Sequence, residues 1–108
     1  MTVLTIRAHK RYATRQAVRL RADCAKPVDG LLIELSSEGV RISNLGAARL
    51  EIGQPITVQI GDHDYHGLVR WAHDGLAGLR LDRALHAHEI AGLIELGRSA
   101  PEPLRLAS

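Results

Sequence analysis

The chain has 108 residues, a single cysteine and a formal net charge of +2, which points to one domain of common size and excludes an internal disulfide framework or a multi-thiolate metal site. Phe is absent and Tyr12, Tyr65 and Trp71 are the only aromatics, while 45% of residues are hydrophobic, so the core must be aliphatic. No apolar run reaches the roughly 18 residues of a membrane span, and in MTVLTIRAHKR the basic residues follow the apolar stretch instead of preceding it, so a cytoplasmic protein with no membrane insertion and no signal peptide is expected.

Residues 1–9 are read as an N-terminal arm, and they also fit a short strand. Charge is uneven along the chain. Residues 1–22 carry Arg7, Lys10, Arg11, Arg15, Arg19 and Arg21 and no acid, which leaves eight basic residues against twelve acidic ones in the remainder. A local basic start of this kind suits a small anion site and argues against tracking along nucleic acid, which needs a basic stripe over a whole face.

Strand signals follow. In QAVRLRADC, Val18, Leu20 and Ala22 alternate with Arg19, Arg21 and Asp23, so the arginines are assigned to the outer face. Cys24, beside this strand, is read as a small buried hydrophobe. In DGLLIELS, Leu31, Ile33 and Leu35 are assigned to the interior, and Leu32, Glu34 and Ser36 to the exterior. VRISN places Val40 and Ile42 inward, and NLGAARLEIGQP reads as a loop. ITVQI places Ile56, Val58 and Ile60 inward, and GDHD reads as a turn. YHGLVRWAH puts Tyr65, Gly67, Val69 and Trp71 on one face, with Trp71 in the core or at a barrel mouth. Asp74-Gly75 is a hairpin signal, and LAGLRL closes the series with Ala77, Leu79 and Leu81 inward.

The end of the domain changes period. In residues 83–97, Ile90, Leu93 and Ile94 form one apolar stripe at helical spacing. Asp82 is the expected N-cap and Gly97 the expected C-cap. The stripe can cover a barrel opening or a partner's surface. The fold class is therefore mainly β: about six short strands, in an antiparallel barrel or sandwich, with a C-terminal α-helix, over residues 10–98 and followed by a tail at 99–108.

Two short patterns stand in order: Arg11-x-x-x-Arg15 before the first firm strand, and Glu34-x-Ser36-x-x-Gly39 where one strand turns into the next. GLVRWAHDGLAGLRL follows, at 67–81. Together these resemble the PilZ domain family, bacterial receptors for cyclic di-GMP. The resemblance covers nearly the whole chain. It narrows the architecture to a six-stranded antiparallel β-barrel with a terminal helix, and it implies a cyclic di-GMP site formed by Arg11, Arg15, Glu34, Ser36 and Gly39, with Lys10 and His9 as supporting charge. The chemistry of these residues suits that ligand. Arginine forks match phosphate oxygens or the O6 and N7 edge of guanine, and their planes stack on bases. Ser36 offers a hydroxyl, Gly39 a turn glycine with access to positive φ, and a carboxylate at position 34 can accept the N1–H and N2–H of guanine. The family usually has Asp or Asn at that position; Glu34 is longer, and it can instead pair with Arg11 or Arg15.

No catalytic residues are expected: no His is placed beside Ser36 and no carboxylate pair suggests itself, so the chain is read as a non-enzyme. No metal is expected either. His63, His66 and His73 surround one hairpin, and His86 and His88 lie two apart instead of the four apart of a helical zinc pair. His86 is read as a histidine packed near the apolar stripe. The expected function is a cyclic di-GMP receptor without a cofactor, whose surface changes on binding and which signals through a protein partner. The alternative is an adaptor that keeps the barrel but not the nucleotide because of Glu34, with a second copy of the chain as one candidate partner. A small nucleic-acid binder is disfavoured by the few aromatics, since single-strand binding relies on stacking.

Overall fold

A computed structural model describes residues 11–22, 26–46 and 48–99. The N-terminal arm, His9, Lys10, Cys24 and residues 100–108 of the tail lie outside the described residues. Six strands precede one helix: β1 (Tyr12–Arg21), β2 (Val28–Leu35), β3 (Gly39–Ser43), β4 (Pro55–Ile60), β5 (His63–His73), β6 (Leu76–Leu81) and α1 (Ala87–Ser99). The strands close into an antiparallel barrel in the order β1-β2-β3-β6-β5-β4, with β4 returning to β1. The expected fold class is the observed one.

Where alternation is regular, it predicts the interior. Ile56, Val58 and Ile60 of β4, Val40 and Ile42 of β3, and Ala77, Leu79 and Leu81 of β6 are all buried. Arg19 and Arg21 stay outside, in ion pairs with Asp29 at 3.0 Å and Asp64 at 2.7 Å. The β5–β6 hairpin turns at Asp74 (φ 53°) and Gly75 (φ 78°), the two consecutive positive angles of a tight hairpin. The β4–β5 turn is shorter than GDHD suggested: Ile60 already pairs with His63.

In β2 the expected interior face is overturned. Leu32 and Leu35 are the buried residues, and Leu31 and Ile33 are only half-buried. The cause is a bulge. Leu32 pairs with Ile42 but Glu34 pairs with Arg41, so Ile33 is an extra residue and the in–out phase reverses across it. Leu35 still points in, so Glu34 and Ser36 keep the outward positions expected of them.

A second bulge moves Trp71. Val69 pairs with Leu79 and Trp71 with Gly78, which makes Arg70 the extra residue. Trp71 is therefore not a core residue. Its indole covers Gly78, where a Cβ would come within 2.3 Å of Trp71 Nε1.

The helix begins at Ala87, later than Asp82 implied. The Glu89 carboxylate accepts the His86 N–H at 2.9 Å, and His86 O accepts the Ile90 N–H at 3.0 Å. His86 is thus the N-cap of a capping box in which Glu89 reaches back. It is exposed instead of packed, and its ring stacks on His88 with centroids 5.7 Å apart. Gly97 lies inside the last turn, not beyond it, because the helix approaches β1 there: a Cβ would meet Thr14 Oγ1 at 2.9 Å. The apolar stripe works as expected, with Ile90 and Leu93 in the barrel's hydrophobic cluster and Ile94 packed against it.

The cap should be visible in acid. The Arg83 guanidinium, and then the His86 N–H, hold the Glu89 carboxyl at about 2, below its ordinary 4.5. The folded form thus favours the carboxylate. Its contribution is complete above the ordinary value and fades as pH falls through the folded one. The thermal unfolding midpoint is expected to fall as the pH drops from 4.5 towards 2, with a shallower fall in Glu89→Gln.

Candidate functional site

The site is built on neighbouring strands by side chains that are far apart in sequence. A cleft of about 250 Å³ is lined by Arg11, Glu34, Ser36, Gly39, Arg41, Arg70, Trp71 and Gly78, together with parts of Leu35, Val40 and Leu79. Pairing explains the convergence: β2 lies beside β3, β3 beside β6, and β6 beside β5. The two bulges set the outward direction of Glu34 and Trp71 along this row.

Four of the five core residues expected from the sequence line this cleft: Arg11, Glu34, Ser36 and Gly39. Arg15 does not line it. On a regular strand, residues four apart share a face, but β1 shifts register between Ala13 and Gln16. Arg15 sits in that irregularity and is exposed, so the spacing of four does not carry both arginines to one side. Arg15 also lies within β1, not ahead of it.

Ser36 and Gly39 have local duties. The Ser36 N–H donates to Gly39 O at 2.9 Å. Ser36 Oγ accepts the N–H groups of Gly39 (3.2 Å) and Glu38 (3.4 Å) and donates to Gly39 O (3.3 Å). The hydroxyl thus closes the β2–β3 turn. Gly39 is not at positive φ, contrary to expectation. Close approach is the requirement instead: a Cβ there would lie 2.5 Å from Leu79 O. The same turn is tied to the end of β6 and to the segment after it, since Glu38 O accepts the Leu81 N–H at 2.8 Å and Ser37 O accepts the Leu85 N–H at 2.7 Å.

Glu34 pairs with Arg41, its cross-strand neighbour, at 3.6 Å. Both side chains are partly exposed, so the pair contributes at most about 1 kcal/mol. The Arg41 guanidinium also lies 5.5 Å from the centroid of the Trp71 ring, within cation–π range. Among the described residues the cleft therefore has three arginines, one carboxylate and one indole. Such a set can bind an anion and stack a planar base.

The sequence reading missed Arg41, Arg70 and Trp71. Arg41 could have been found from its position opposite Glu34 once the strands are paired. Arg70 and Trp71 depend on the β5 bulge, which leaves no compositional mark.

Among the described residues no cluster of three or more His, Cys, Asp or Glu could hold a metal ion, and no helix is long and apolar enough to cross a membrane. No protein-family model matches the sequence, and no curated protein does. A solved structure is similar in fold: the Bacillus subtilis inhibitor of motility MotI/DgrA, with a TM-score of 0.62 and 14% sequence identity. The match covers 82% of this chain and 48% of that one, so the chain spans about half the length of this neighbour. The likeness supports a PilZ-like fold.

Proposed function

We propose that the chain is a PilZ-like receptor that binds cyclic di-GMP in the cleft and passes the signal to a protein partner. The carrying observation is the convergence of Arg11, Arg41 and Arg70 on one cleft beside Trp71 and Glu34. A dinucleotide with two phosphates and two guanines presents anions for the arginine forks and planes for stacking on Arg41 and Trp71. Glu34 supplies the acceptor pair for a guanine edge once released from Arg41. The neighbour's name links a similar fold to the control of motility, which agrees with a signalling role. Binding without turnover fits the cleft, where Glu34, the one carboxylate among the described lining residues, is paired with Arg41.

Calorimetric titration with cyclic di-GMP, against GTP and cyclic GMP, tests this reading. Saturable, selective binding is expected. Arg11→Ala should weaken it by about 10–100-fold, the loss of a charge-assisted bond, while Arg15→Ala should change it by less than about threefold. Equal losses at the two positions would move the site towards the outer side of β1.

The Glu34–Arg41 pair favours a second reading, an adaptor whose arginine is satisfied internally and which takes no nucleotide. Absence of binding, with the same assembly size in the presence and absence of cyclic di-GMP, would select it.

A further inference from the structure

Three large apolar side chains are exposed among the described residues: Ile52 (78%), Leu68 (44%) and Leu96 (38%). Two of these belong to one region. Leu68 of β5 pairs with Pro55 of β4 on one side and Arg80 of β6 on the other. The Gly53 N–H donates to Val69 O at 2.7 Å and the Val69 N–H to Gln54 O at 3.0 Å, which brings Ile52 alongside the same stretch. Pro55, Leu68 and Arg80 are all exposed, so a single row across three strands reads apolar, apolar, cationic.

The strand stretches around Leu68 and Arg80 carry cations without acids, and the exposed acids nearest in sequence, Glu51 before Ile52 and Asp82 after β6, lie in the flanking loops. Arg70 and Arg80 are exposed on adjoining strands and have no ion pair to a described residue. Residues 39–43, 65–73 and 76–81, which form β3, most of β5 and β6, contain no Asp or Glu. Elsewhere on the barrel, exposed arginines are neutralised across strands, as Arg19 is by Asp29 and Arg21 by Asp64. Here, among the described residues, no acid on a neighbouring strand pairs with Arg70 or Arg80, and the aliphatic Leu68 lies directly beside Arg80.

We propose that this outer face of β4, β5 and β6, centred on Leu68 and Arg80, docks an acidic protein segment that carries aliphatic side chains. Charge complementarity selects the acid. The interleaved Ile52, Pro55 and Leu68 select a protein over a nucleic acid, because a phosphate backbone rewards a continuous basic track and its bases want aromatic platforms. Arginine is also among the residue types enriched at protein interfaces. The face touches the cleft through Arg70, yet its centre, Leu68 and Arg80, is not part of the cleft lining. The inference therefore goes beyond the nucleotide reading and does not depend on it.

The probe is a short blocked peptide of alternating glutamate and leucine labelled with fluorescein, titrated by anisotropy without any nucleotide. A lysine–leucine peptide and a glutamate–serine peptide are the comparisons, and oligothymidine and phosphatidylglycerol vesicles are run in parallel. Saturable binding of the glutamate–leucine peptide alone is expected. Leu68→Ser and Arg80→Ala should each weaken it by about tenfold, the scale of a modest hot spot. Arg19→Ala, on β1 outside this face and with its cation already paired to Asp29, should leave it unchanged. Amide shifts in the folded protein should concentrate at residues 52–55, 66–70 and 80. The proposal is overturned by no binding, by equal binding of either comparison peptide, by indifference to Leu68→Ser, by shifts located elsewhere, or by preference for the oligonucleotide or the vesicles.

Discussion

Gly78→Val is expected to displace the Trp71 indole and lower the thermal unfolding midpoint by roughly 5–15 °C, from an overpacking cost of about 1–3 kcal/mol in a domain of this size. A Cβ at position 78 would sit 2.3 Å from Nε1 and 2.5 Å from Cε2 of the ring, so the rigid indole must leave as a body. Its removal opens the wall of the cleft and withdraws the plane from beneath the Arg41 guanidinium. Trp71 is the only tryptophan, so intrinsic fluorescence reports the move directly. Emission should shift to longer wavelength as the ring enters water. Unchanged emission with a normal melting midpoint would show that the indole does not rest on Gly78.

Gly39→Ala is expected to cost about 2 kcal/mol or more in urea unfolding without nucleotide, since the added carbon meets backbone. It would lie 2.5 Å from Leu79 O, and β3 pairs with β6 through Gly39 and Arg80. The two strands must part to admit it. Gly92→Ala is the contrast. No atom lies within 4 Å of a Cβ there, and the position is exposed inside α1, so that change should stabilise the protein by about 0.5–1 kcal/mol. A glycine kept only to admit a ligand would instead leave unliganded stability untouched at position 39.

Particular residues show what the sequence could disclose. β4 and β6 were legible because ITVQI and LAGLRL alternate without interruption, and all six of their inward residues are buried. β2 and β5 alternate just as plausibly, yet one inserted residue in each reverses the phase. Ile33 and Arg70 bear no glycine or proline to announce the bulge. The start of the helix was misplaced because Asp82 is a better cap by type than His86, while the Glu89 carboxylate that actually closes the first turn acts from inside the helix. For the cleft, Arg11 and the Glu34–Gly39 turn were legible as local motifs. Arg41 and Trp71 were not, because their meeting depends on β3, β6 and β5 lying side by side, a relation that spacing does not encode.

The β2–β3 turn is a joint shared by two parts of the molecule. Its Glu38 and Ser37 carbonyls hold the Leu81 and Leu85 amides, and Leu85 is itself buried at the foot of the segment that leads to α1. Drawing the segment that leads to α1 away from the barrel therefore breaks the Leu85 bond to the same turn whose Ser36 and Gly39 border the cleft. Opening of that segment and loosening of the turn are expected to go together. The Leu85 amide, which does not itself line the cleft, is thus a native gauge of how firmly that border is held, readable by the rate at which its proton exchanges with solvent.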